Sequence, residues 1–147
     1  MLLGLIALVT AAIFFGAAFY INFAEHTSRM GLTPDSAVRQ WAPAYNRGYM
    51  MQGGLALISG VAGLTVGWTT GNGNWLAGGL FMLANGPWTT LAIMPVNRKL
   101  TAIDAGNSAQ AEQEVKGLLC RWCERHTVRT CLAAMAITAY IFAITAW

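Results

Sequence analysis

Charge is what this chain has least of. Of 147 residues, nine are Lys or Arg and six are Asp or Glu, a charged share of 10%, against roughly 25% in an ordinary soluble domain. So few ions cannot cover a surface that mostly faces water, which disfavours soluble-enzyme folds. A net charge of +3 points to nucleic acid only when the cations cluster on a solvated face. They do not, and no nucleic-acid partner is expected. Cysteine is equally sparse. Cys120, Cys123 and Cys131 fall near what is read below as the cytoplasmic side, where thiols stay reduced, so no structural disulfide is expected. Cys120-Arg-Trp-Cys123 has redox spacing, but such pairs act on the oxidising side, and Glu124 rather than His follows it, so it is no haem-attachment motif. Low-complexity linkers and solenoid repeats are missing, and residues 1–147 read as a single transmembrane domain.

What is present is apolar: 56% of residues are hydrophobic, with a mean hydropathy of +0.48. Every charge lies between Glu25 and Arg47 or between Arg98 and Arg129, leaving 1–24, 48–97 and 130–147 uncharged. A helix needs about 20 apolar residues to cross a bilayer. The central tract is long enough for two crossings, and Gly71-Asn72-Gly73-Asn74 supplies the turn between them. Crossings are therefore expected at about 1–24, 48–70, 75–97 and 127–147, the first being a retained helix rather than a cleaved signal. The fold class is all-α, an integral membrane four-helix bundle running up-down-up-down. All nine cations fall in the two loops on one side, so the positive-inside rule makes both long loops cytoplasmic and puts both termini outside. A bacterial inner membrane is the expected location, with membrane lipids as partners.

Smaller signals refine this picture. Thr33-Pro34-Asp35 reads as a helix start, so a short interfacial helix is expected from Pro34 to Trp41, stopped by Pro43. From Ser108 a polar stretch should become helical, carry Val115, Leu118, Leu119 and Trp122 on its apolar side, and extend the fourth helix into the cytoplasm. Gly53, Ala56, Gly60, Gly63 and Gly67 form a small-residue stripe, for packing inside the bundle or, alternatively, for a homo-oligomer contact. Tyr45, Tyr49 and Gln52 recur at helical spacing just inside the second crossing.

The two histidines, His26 and His126, each stand where a helix meets the cytoplasmic surface. Glu25, His26 and Arg29 end the first helix. Trp122, His126 and Arg129 share a face leading into the fourth. Asn97 ends the third, with Asn85, Trp88 and Thr89 deeper along it. Polar groups at this depth are costly unless they face a cavity, and their convergence from all four segments implies a polar pocket at the cytoplasmic mouth.

Glu25-His26 with Arg29-Met30-Gly31-Leu32, then Trp41-Ala42-Pro43-Ala44-Tyr45-Asn46-Arg47-Gly48, then Met94-Pro95-Val96-Asn97 with Leu100, then Trp122, His126 and Arg129-Thr130, resemble the small four-helix membrane family that includes the anthrone oxygenases. The resemblance covers nearly the whole chain. It implies a monooxygenase-type activity in which dioxygen oxidises an anthrone to an anthraquinone, a small aromatic substrate being the partner. No cofactor is strictly required, because the carbanion of an anthrone can pass an electron directly to dioxygen. On this reading His126 is the base, supported by Trp122 and Arg129, while Glu25 and Asn97 orient His26 or the substrate. Arg, Asn and Trp donors hold the enolate oxygen. His126, His26, Trp122, Arg129 and Asn97 are thus the catalytic candidates, and Glu25, Arg29, Trp41, Tyr45 and Trp88 the substrate-binding ones. Two alternatives stay open. His26 and His126 at one depth could ligate haem b, or with Glu25 make a two-His, one-carboxylate set for non-haem iron or copper. A non-catalytic assembly or lipid-binding subunit is the third class.

Overall fold

A computed structural model describes residues 1–103 and 109–145, and these are helical apart from short turns, with no strand among them. Helix α1, Leu2–Tyr20, runs through a π-helical turn, Ile21–Glu25, into α2, His26–Met30. Helix α3 spans Pro34–Thr70. Helix α4, Gly73–Trp88, passes through a second π turn, Thr89–Ile93, into α5, Met94–Ala102. Helix α6 covers Ala109–Thr145. Ser108, from which a helix was expected, lies outside the described residues; from Ala109 on α6 is unbroken, as anticipated.

The punctuation read from sequence sets several of these ends. Thr33 is extended (φ −61°, ψ 153°) and Pro34 opens α3, where its missing N–H costs nothing. Gly71 takes a left-handed φ of 69° after the last turn of α3, and the Asn72 side chain accepts from the Asn74 amide at 3.0 Å to start α4. Two expectations need correction. Pro43 does not stop a short interfacial helix: it lies inside the 37-residue α3. Nor does Asn97 end the third helix, since α5 continues to Ala102. In both places tertiary packing outweighs local chain preference. Trp41, two turns into α3, is buried in an apolar cluster with Trp122, and Val96 and Leu100, on either side of Asn97, join the same cluster.

Three described helices are long and apolar enough to cross a membrane: Leu2–Met30, Pro34–Thr70 and Ala109–Thr145. The α4 to α5 segment is not among them, because Asn74, Asn85, Asn97 and two prolines dilute its apolar run. Side-chain size is sorted as lipid would sort it. Helix α1 buries Gly4, Ala7, Ala11, Phe14 and Ala18, whereas Leu5, Val9, Ile13 and Phe19 are exposed. Apart from Phe14, small residues inward and large apolar ones outward favour close helix contact where lipid supplies no hydrophobic drive between helices.

Helix α1 packs on α3 and α6, and α4 packs on the same two. One hydroxyl chain ties three of them. Tyr140 of α6 donates to the Ser59 carbonyl of α3 at 2.9 Å, and Ser59 donates to the Ala7 carbonyl of α1 at 2.8 Å. Near the Gly71 turn α3 and α4 touch: a Cβ built on Gly60 would fall 2.5 Å from Leu83, and one on Gly67 would fall 2.7 Å from Leu76. Farther along they part, and a Cβ on Gly53 or Gly86 would meet nothing within 4 Å.

The buried interior is banded. One apolar cluster gathers Ala7 to Ala18, Ala56 to Val66, Trp75, Met82 and Ala133 to Ala143. A second gathers Ala37, Trp41, Ile93 to Leu100 and Val115 to Trp122. Between them in sequence come most of the buried polar residues, Gln52 in α3, Asn85 and Thr89 around the second π turn, and His126, Arg129 and Thr130 in α6, with Arg29 in α2; Ser59 and Asn97 lie within the stretches of the two clusters themselves.

Candidate functional site

Polar residues in a membrane helix must find partners or a cavity, and this band has both. Its cavity, about 20 Å³, is lined by Glu25, Arg29, Trp41, Tyr45, Tyr49, Gln52, Trp122, His126 and Arg129. That volume holds a molecule of the size of water or dioxygen.

The π turns fit the site's backbone requirements. A π turn takes in an extra residue and is frequent at functional sites. At Ile21–Glu25 it leads into the pair Glu25 and Arg29, whose Nη2 reaches Glu25 Oε1 at 2.6 Å. Gln40 completes a triangle, accepting from Arg29 Nε at 2.5 Å and donating to Glu25 Oε1 at 3.1 Å. At the other π turn, Arg125 donates to the Ala92 carbonyl at 2.5 Å, and the Trp88 indole donates to the Arg125 carbonyl at 2.8 Å.

His126, 1% exposed, has one ring nitrogen assigned by its neighbour. Asn22 Nδ2 donates to the hydroxyls of Thr127 and Thr130, each at 3.1 Å. The Asn22 oxygen is thereby turned toward His126 Nδ1, 2.7 Å away. An amide oxygen only accepts, so Nδ1 carries the proton and Nε2 the lone pair. Trp122 stacks on the imidazole, ring centroids 4.9 Å apart, and Trp41 and Tyr45 meet Trp122 edge-on at 6.3 and 6.5 Å.

The rest of the lining is rich in donors without acceptors. Arg29 Nη1, Trp41 Nε1, Gln52 Nε2, Trp122 Nε1 and Arg129 Nε are all buried with no hydrogen-bond partner. A buried donor left unpaired costs about 1–3 kcal/mol, and all five belong to residues that line this one cavity. Charge agrees. The cavity holds two guanidinium groups and one carboxylate, and among the described residues Arg129 has no acidic partner, only the Phe14 ring 5.1 Å from its guanidinium carbon.

Of the residues singled out from sequence, Glu25, Arg29, Trp41, Tyr45, Trp122, His126 and Arg129 are brought together. His26, Asn97 and Trp88 do not line the cavity. His26 is half-buried with Nδ1 unpaired. Asn97 approaches Met94 Sδ at 3.9 Å, the sulfur that Tyr45 also reaches at 3.7 Å, and Trp88 is held by the Arg125 carbonyl. The set proposed for non-haem iron also changes: no group of three His, Cys, Asp or Glu among the described residues is placed to hold a metal ion. Glu25 is committed to Arg29, and His126 offers Nδ1 to Asn22. With His26 outside the cavity that His126 lines, the residues present do not fit a shared bis-histidine haem site there. Asn22 and Gln40 escaped the sequence reading. Asn22 had a signal, an amide within an otherwise apolar tract; Gln40 had none.

A family model described as anthrone oxygenase matches residues 41–139. The match takes in Trp41, Tyr45, Trp122, His126 and Arg129, and stops short of Asn22, Glu25 and Arg29. No curated protein and no solved structure matches the chain.

Proposed function

Since the chain belongs to the anthrone oxygenase family, we propose that it is a membrane-embedded oxygenase that oxidises an anthrone-like aromatic substrate with dioxygen at the cavity around His126. The observation that carries this reading is the cavity's composition: one imidazole whose Nδ1 is held by Asn22, in a lining whose residues carry five unpaired N–H donors. Proton abstraction beside a carbonyl needs a base and a cradle for the resulting enolate.

His126 Nε2 takes a proton from the substrate methylene, and Asn22, holding Nδ1–H, steadies the imidazolium that forms. The anion's charge spreads onto the ring oxygen, which the N–H groups of Arg129, Trp41, Trp122 and Gln52 can bind. The carbanion passes one electron to dioxygen, the radical and superoxide combine at carbon into a peroxide anion, and the His126 imidazolium returns its proton to make the hydroperoxide. Loss of the remaining C–H proton with O–O cleavage gives the quinone carbonyl and one water. One dioxygen is consumed, one oxygen atom entering the product and the other leaving as water.

Purified protein in detergent should consume dioxygen and form anthraquinone in equal amounts when given an anthrone, above the uncatalysed rate. Label from isotopic dioxygen should appear in the new carbonyl. Absence of any acceleration would overturn the reading.

We place four crossings in the membrane, α4 included, running up-down-up-down with both termini outside. Cation placement supports this: no Lys or Arg occurs in 1–24, 48–97 or 130–147. In a chain with Cys120, Cys123 and Cys131 replaced by Ser, an impermeant thiol reagent should label Gly73→Cys on intact cells and Ala109→Cys only after permeabilisation. The opposite pattern would invert the topology.

A further inference from the structure

The cavity at His126 is too small for a fused aromatic ring system, so an oxygenase of this kind needs a second compartment. One adjoins it. A cleft of about 330 Å³ opens between α3 and α4 and shares Tyr49 and Arg129 with the small cavity. Its volume falls in the range of small-molecule sites, roughly 300–1,000 Å³. It exists because the two helices part where they carry Gly53 and Gly86, both of which are exposed with open space around the missing side chain. Leu57 on its rim is also exposed, so the mouth faces sideways, toward lipid.

The polar atoms of the cleft are specific. Thr89 and Thr90 donate their hydroxyls to carbonyls of their own helix. Asn85, 2% exposed, spends its Nδ2 on the Phe81 and Met82 carbonyls at 3.2 and 3.1 Å. Its Oδ1 is left buried without a partner. Two residues of this apolar slot, Asn85 and Arg129, thus each keep a buried polar atom without a partner, the acceptor Oδ1 and the donor Nε.

We propose that this cleft is the binding site and lateral access route for the aromatic body of a lipid-dissolved substrate. Asn85 accepts from a ring hydroxyl, and Arg129 passes the oxygen-bearing edge into the cavity at His126. The proposal rests on the oxygenase reading for the identity of its ligand but predicts binding independently of turnover. It makes Asn85 a specificity-determining residue: the hydroxyl is selected where an apolar cleft alone would accept any flat ring. A site built to hydrogen-bond a hydroxyl discriminates against the analogue lacking it, because the buried acceptor is then left unpaired.

The test uses the full chain in lipid nanodiscs and two probes, a coloured hydroxyanthraquinone and the same ring system without hydroxyls, with binding read by absorbance and turnover by oxygen uptake with the matching anthrones. Gly53→Phe and Gly86→Phe fill open space and should weaken binding at least about tenfold, whereas Gly16→Phe, also in open space but away from the cleft, should not. Asn85→Leu should erase most of the preference for the hydroxylated probe, about tenfold, and leave the other probe's affinity unchanged. Normal binding and turnover in both glycine variants would overturn the cleft and leave the oxygenase reading intact. Cleft-dependent binding without any oxygen uptake in the unaltered protein would do the reverse. No binding of either probe, or an unchanged preference in Asn85→Leu, would overturn the proposal.

Discussion

Replacing His126 by Gln should lower kcat for anthrone oxidation by about 10²–10⁴-fold, the range expected when a positioned general base is lost. Glutamine nearly fills the same space and can still donate to Asn22 Oδ1, 2.7 Å from the present ring nitrogen, so packing survives while basicity does not. Asn22→Leu should give a smaller loss, concentrated in kcat, because it frees the imidazole to adopt the tautomer with Nε2 protonated and thus useless as a base. His26→Gln should change neither kcat nor KM appreciably, since that side chain does not line the cavity. Had both histidines acted on one group, each single variant would match the double. Steady-state oxygen uptake by the four variants distinguishes the two patterns. Near-normal turnover in His126→Gln would remove the base from the scheme.

Arg129→Leu should reduce kcat/KM by about 10²–10³-fold, comparable with losing a principal donor to a developing oxyanion. Its stability effect should run the other way. Arg129 is 4% exposed and has no acidic partner among the described residues. Exchanging a buried, uncompensated cation for an apolar side chain is often neutral or stabilising. Thermal unfolding in detergent should therefore show a midpoint equal to or above that of the unaltered protein, alongside the lost activity. Arg39→Leu is the comparison: Arg39 pairs with Asp35, and its side chain is 73% exposed, so both readouts should stay put. A marked fall in the midpoint for Arg129→Leu, or equal activity losses in the two variants, would show Arg129 to be a structural anchor.

The helical segments and the turn between the second and third were legible because their signals are physical and local: uncharged runs, a glycine free to take positive φ at Gly71, an asparagine cap at Asn72. Most of the cavity was legible too, since titratable and amide residues at one depth of apolar helices leave few alternatives. Pro43 misled because its lost hydrogen bond is a local cost, whereas what keeps α3 continuous is the packing of Trp41 against Trp122, more than 80 residues away in the chain. His26 misled for a related reason. Depth alone placed it with His126, and it does not line the cavity that His126 lines. Asn22 was overlooked because a lone amide in an apolar tract was read as part of the tract, though it is the residue that sets the proton on His126.

The π turn at Ile21–Glu25 also bears on how this site can vary by descent. One residue more or fewer in an α-helix rotates everything beyond it by about 100°. A π turn absorbs one such residue within its wider loop, so deleting a single codon within Ile21–Glu25 would let α1 continue as regular α-helix while Glu25 and Arg29 keep nearly their present facing, whereas the same deletion within Leu2–Tyr20 would turn them off the cavity. The π turn is accordingly the one place in the first helix where a change of length by one residue is absorbed, so relatives that share this cavity are free to differ in length there and are held to a fixed spacing on either side of it.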